Sequence, residues 1–236
     1  VTVRAGAEVI VSAGAVNSPH LLELSGIGDA ERLRALGIEP VHHLPGVGEN
    51  LQDHFNAALA FRLKPGTPSV NAMGHGLGLL REALRYLASR RGFFAISAAH
   101  VAMFAKSRPG LAWPDLQYHA LAGSLDGEAY KRNKLKFDRD PGLTIGHCLL
   151  RPDSRGSIHA RSADPIEPPA IRPNYLSAPG DVRAMLDGYR LTRRIVARAP
   201  LAQHIDHERE PGSIARDDDA LLAHMRDRSE ERRVGK

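Results

Sequence analysis

Among 236 residues there is one cysteine, Cys148, so no internal disulfide can form. That fits a reducing compartment and sets a cytoplasmic location as the expectation. Aromatic residues are scarce, at 5% with a single Trp. The basic residues behind the formal net charge of +5 are scattered, with Arg193-Arg194 and Arg232-Arg233 as isolated pairs. A surface for single-stranded nucleic acid interleaves aromatics with clustered basic groups, so no nucleic-acid partner is expected. No apolar run approaches the ~18 residues that mark a membrane span, and mean hydropathy is −0.30. No transmembrane segment is expected either. Internal repeats and low-complexity tracts are missing as well.

What is present begins with Val9-Ile10-Val11, an apolar run that reads as a short buried strand. It leads into Ala13-Gly14-Ala15-Val16-Asn17-Ser18-Pro19-His20-Leu21-Leu22-Glu23-Leu24-Ser25-Gly26-Ile27-Gly28. Two small residues and a glycine end the strand, and the chain is expected to turn at Asn17-Ser18-Pro19. A helical turn carrying Leu21, Leu22 and Leu24 follows and stops at Ser25-Gly26. Small residues at such a strand end let a large planar cofactor or its phosphates approach the backbone.

The whole run resembles the second signature of the glucose–methanol–choline (GMC) family of flavin-dependent oxidoreductases. Pro45-Gly46-Val47-Gly48-Glu49-Asn50-Leu51-Gln52-Asp53-His54 is similar to the family's segment between its flavin and substrate domains. Pro114-Asp115-Leu116-Gln117, Leu150-Arg151-Pro152-Asp153-Ser154-Arg155-Gly156 and Pro173-Asn174-Tyr175-Leu176 resemble elements of its substrate domain. The collinear likeness runs from about Val9 to about Ile195, with the choline-dehydrogenase-like branch as the nearer match.

The resemblance implies a fold that is α/β plus α+β. The closing portion of an FAD-binding Rossmann-like domain (residues 1–54) would be followed by a substrate domain (residues 55–236), a largely antiparallel sheet with helices. It implies FAD as cofactor and a small-molecule alcohol as substrate, oxidised at its CH–OH group with hydride passing to flavin N5, in a dehydrogenase or an oxidase. Ala13, Gly14 and Ala15 would run past the FAD, with Asn17 and Ser18 nearby. Asn50, Leu51, Asp53 and His54 would form the loop where the domains meet near the isoalloxazine. The family's GxGxxG loop and its catalytic histidine with a His or Asn partner have no counterpart in these residues. No catalytic residue is therefore assigned, and the chain by itself is expected not to turn over. The alternative is a non-catalytic α+β ligand-binding remnant. The tail Ser229–Lys236 departs from the family pattern and reads equally as a junction or a solvated charged end.

Simpler roles stand beside these. Gly14 and Gly48 also suit plain turn geometry, Asp53 also suits bracing its own loop, and Ser25-Gly26 suits a helix stop. Arg155 is expected in a structural ion pair, and His20, His42 and His43 as surface or packing residues. His147-Cys148 lacks companion ligands at metal spacing, so a buried structural pair is expected. Strands are expected at Thr2-Val3-Arg4, 57–63, 101–105, 116–119, 143–150 and 157–160. Helices are expected at 79–88, with Leu80, Leu84 and Leu87 on one face, at 181–198 capped by Ser177, and at 217–225.

Overall fold

The computed structural model describes residues 4–97, 99–127, 136–212, 215 and 217–228. In chain order, the helices are α1 (Gly14–Leu24), α2 (Ala30–Ala35), α3 (Gly76–Ser89), α4 (Pro179–Val196) and α5 (Asp218–Arg228). The strands of the first half are β1 (Ile27–Gly28), β2 (His42–His43), β3 (Asn56–Leu63), β4 (Val101–Ala105) and β5 (Leu116–Leu121). Those of the second half are β6 (Gly142–Leu149), β7 (Ser157–His159), β8 (Ala170–Arg172) and β9 (Ile205–Glu210). Mixed helix and antiparallel sheet is the expected class.

The chain forms two compact units, and the first is discontinuous: it combines residues 1–53 with 152–178. It holds α1 and α2, the short parallel pair β1–β2, and the antiparallel pair β7–β8. Glycine is required at Gly48, whose φ is +81° and where a Cβ would stand 2.2 Å from the Ile158 carbonyl oxygen. The turn reading of Gly48 therefore has a direct steric cause.

The second unit takes 54–151 and 179–236. Its sheet runs β4-β5-β6-β3-β9, and every neighbouring pair is antiparallel. Alternation in β3 buries Ala57, Leu59, Phe61 and Leu63, the period-two pattern of a strand packed on one face. Helix α4 covers the sheet through Ala184, Met185, Leu186 and Tyr189, all buried.

Several expectations are corrected. Val9-Ile10-Val11 is in no strand, and Val9 and Ile10 are each 78% exposed. An extended run becomes a strand only when a neighbour takes its hydrogen bonds, and among the described residues none does. Arg4 is likewise outside any strand, and Thr2 and Val3 lie outside the described residues, as does the tail 229–236. Helix α1 starts at Gly14 and runs through Pro19 instead of turning there. The proline costs one backbone bond near the helix start, while burial of His20 and Glu23 further along favours a continuous helix. The stop at Ser25-Gly26 is as expected, with Gly26 at φ +81°.

Residues 157–159 pair with β8 rather than joining the large sheet. Ser177 does not cap α4: the helix opens at Pro179, a residue preorganised for that position, and the Ser177 amide bonds the Ser154 hydroxyl instead. In α3 the leucine face exists, yet the buried residue is Glu82. Strand β9 was not visible in the sequence.

Candidate functional site

The nine residues that the resemblance marks fall into separate places. Ala13, Gly14, Ala15, Asn17 and Ser18 lie at the start of α1; the first four are exposed and Ser18 is half-buried. The first backbone amides of a helix have no intrahelical partner. Here the cap residue is Ala13, which offers no side-chain bond to them, and the first turn carries no acidic residue. Gly14 has φ +83° and nothing within 4 Å of where a Cβ would stand. A helix start with small residues and uncapped amides suits a polar, electron-rich edge of a bound group. The residues present therefore fit a flavin nucleotide.

Asn50, Leu51 and Asp53 lie in the loop that ends the first unit's opening segment. Asn50 takes φ 60°, a conformation that asparagine tolerates better than most side chains. Leu51 exchanges backbone bonds of 2.9 Å in both directions with Gly156. Asp53 accepts a hydrogen bond from the Tyr175 hydroxyl, which ties its loop to a distant segment of the same unit. His54 opens the second unit, with its Nε2 donating to the Leu150 carbonyl at 3.2 Å.

A buried polar cluster holds this loop from behind, and the sequence did not reveal it. Glu23 on α1 is fully buried. One of its carboxylate oxygens lies 2.7 Å from His159 Nδ1, and the other accepts the Ala160 amide at 2.6 Å. His159 Nε2 lies 2.9 Å from Glu49 Oε1. Each ring nitrogen of His159 thus faces a carboxylate oxygen. Helix α1, strand β7 and the 48–53 loop are thereby tied at one point. The only hint in the sequence was a glutamate set between Leu22 and Leu24, because its partner lies 136 positions away.

Among the described residues Arg155 has no ion pair of the kind expected; its guanidinium donates to the Pro152 and Ser154 carbonyls at 2.7 and 3.1 Å. Of the other histidines, His20 is buried on α1 as a packing residue. His43 is exposed, and its Nδ1 accepts the Ala30 amide at 3.1 Å; His42 is exposed beside it.

In the second unit His147 and Cys148 are both buried, and burial pushes the Cys148 thiol above its usual range. Among the described residues no group of three or more metal-ligating side chains is found. His147 stacks on Tyr118 with ring centres 5.5 Å apart and meets Tyr189 edge-on at 5.1 Å. Its Nε2 donates to the Met185 carbonyl at 3.0 Å, and Nδ1 has no partner. Burial holds its pKa down at about 4, against 6.5 in water. A histidine in that state is neutral and dry, which makes it a core residue and not a proton shuttle.

The same ring explains Gly188. A Cβ there would stand 2.3 Å from His147 Cδ2. Alanine gains about 1 kcal/mol of helix propensity over glycine, but the overlap outweighs it. Gly188→Ala is expected to lower the unfolding free energy by about 1–3 kcal/mol, read from urea denaturation. An unchanged midpoint would mean that the ring can move aside freely.

Comparison with known proteins agrees at two levels. Family models described as GMC oxidoreductase match residues 1–56 and 152–232. An alcohol dehydrogenase [acceptor] of Pseudomonas putida is 40% identical over 223 residues, covering 94% of this chain and 40% of that protein. An oxygen-dependent choline dehydrogenase of Photobacterium profundum is 38% identical over 231 residues, covering 95% of this chain and 39% of that protein. The chain thus spans about two fifths of the length of the curated relatives it matches. Among solved structures, a formate oxidase superposes with a TM-score of 0.81 at 24% identity, covering 94% of this chain and 43% of its own. A fungal aryl-alcohol oxidase gives 0.71 at 22%, covering 90% and 42%. At those identities the likeness concerns the fold.

Proposed function

Because this chain belongs to the GMC oxidoreductase family, we propose that it forms part of an FAD-dependent enzyme that oxidises the CH–OH group of a small alcohol. The observation that carries this reading is the open start of α1, where uncapped amides and Gly14 meet no side chain. When bound, FAD supplies the hydride acceptor. The chain's own part is to hold and orient it. Ala13, Gly14 and Ala15 admit the cofactor to backbone contact, and Asn17 and Ser18 lie on the same turn. Asn50, Leu51 and Asp53 present a preset loop, fixed by Gly156 and Tyr175. His54 extends the cofactor-facing set. Residues 1–54 serve the flavin side in this reading, residues 55–236 the substrate side. The lone buried Cys148 accords with a cytoplasmic setting. No described helix is long and apolar enough to cross a membrane.

The test is the flavin content of the protein as its own gene expresses it. It should purify yellow with FAD, and an alcohol should bleach that colour under anaerobic conditions. Colourless protein that still binds an alcohol would instead fit a non-catalytic α+β ligand-binding remnant. A sharper variant is Ala13→Asp, which sets a carboxylate on the α1 amides. FAD affinity is expected to fall at least tenfold, the size of one lost charge-assisted contact, without a lower unfolding temperature. Unchanged affinity would remove α1 from the cofactor site.

A further inference from the structure

Helix α3 is amphipathic the wrong way round for a core helix. Leu77, Leu80, Leu84 and Leu87 are 84, 56, 59 and 68% exposed. At helical periodicity they fall within an arc of about 100°, the width of a stripe that normally faces a core. The inward side carries Glu82, buried and accepting the Phe93 amide at 3.0 Å, and the half-buried Tyr86. That amide bond holds the Glu82 carboxyl below its usual range. Among the described residues, the inward side of α3 is packed and no side chain covers the leucines.

Charge decides what can cover them. Residues 54–114 contain eight Lys and Arg and a single acidic residue, Glu82. Arg81 and Arg85 flank the leucine stripe, with nitrogens 3.4 and 3.7 Å from the buried carboxylate and side chains 74 and 56% exposed. A second copy docked through this face would set Arg81 and Arg85 against their own counterparts, with no exposed acid in the segment to pair with them. Nucleic acid would meet the arginines, but an aliphatic stripe gives bases nothing to stack on. A bilayer surface rich in anionic lipid satisfies both halves, with acyl chains for the leucines and headgroup phosphates for the arginines. With 14 residues the helix is about 21 Å long, too short to span the ~30 Å hydrocarbon layer, so it lies in the interface.

We infer that α3 is a peripheral membrane contact that seats Leu77, Leu80, Leu84 and Leu87 in the surface of an anionic bilayer, with Arg81 and Arg85 at its phosphates. The inference does not depend on the cofactor. The protein as its own gene expresses it is floated with vesicles of phosphatidylglycerol and phosphatidylcholine, and with vesicles of phosphatidylcholine alone. It should rise with the anionic vesicles and bind the neutral ones at least tenfold less. The double variant Leu80→Ser/Leu84→Ser should lose binding at least tenfold while keeping its circular dichroism and unfolding temperature, since both side chains are exposed. Arg81→Gln/Arg85→Gln should lose binding severalfold and weaken its dependence on salt. Failure to float with anionic vesicles overturns the inference, as does flotation indifferent to the leucine variant. Dimerisation that the leucine variant abolishes, without vesicle binding, would assign the face to a second copy.

Discussion

Glu23→Ala is expected to cost about 3–5 kcal/mol of unfolding free energy, the range for removing one partner of a buried ionisable pair. Three losses coincide at that position. The Ala160 amide loses the acceptor it holds at 2.6 Å, and His159 loses the carboxylate on Nδ1. A side chain with no exposed surface also leaves its volume empty. Glu49 on the other ring nitrogen is half-exposed and replaces little of this. Accordingly Glu49→Ala should cost only about 1 kcal/mol or less, as for a solvent-screened pair. His159→Ala and the double variant with Glu23→Ala complete a cycle whose coupling should be about 1–3 kcal/mol. Guanidinium titrations of the four proteins measure it. Costs that simply add would mean that Glu23 acts through packing alone.

Acid sensitivity should trace to His147. Its pKa is about 4 in the folded chain against 6.5 in water, so between those values the unfolded state binds the extra proton. Stability then rises with pH across that window, is fully present above about 6.5, and is lost as pH falls towards 4. The size follows from the shift and amounts to about 3 kcal/mol between pH 7 and pH 4. The cause is local. Protonation would place a charge in a site closed by Tyr118, Tyr189 and α4, with a new N–H on Nδ1 facing no acceptor. His147→Leu, close in volume, should flatten the profile by that amount in urea titrations at pH 7, 5.5 and 4. Parallel profiles for the two proteins would sink the assignment.

The sequence made β3, β4, β5 and β6 legible because each presents a short apolar or alternating run bounded by Pro, Gly or Asp. It hid β9, where Ile205 is followed by Asp206, His207, Glu208, Arg209 and Glu210. An edge strand with charged side chains carries no hydrophobic period to read. Val9-Ile10-Val11 failed in the opposite sense, because its apolar character was plain and its lack of a sheet neighbour was not. Ala13, Gly14 and Ala15 read as the end of a strand but stand at the start of a helix, because the run before them finds no sheet neighbour among the described residues. The Glu23–His159–Glu49 cluster could not be read, because buried polar partners leave no local pattern. For α3 the leucine spacing was correct, and only the structure shows that the face points outward.

The discontinuity of both units sets an order on biosynthesis. Strand β3 is made before the other strands of its sheet, but one of its two neighbours, β9, emerges about 140 residues later, and the first unit waits for residues 152–178. At about 5–20 residues per second of translation, β3 stands without that neighbour for roughly 7–30 s. Throughout that interval its open edge is a template for wrong pairing. A nascent chain of this protein is therefore a natural client for factors that shield strands at the ribosome exit, and slowing translation before residue 152 should lower its soluble yield.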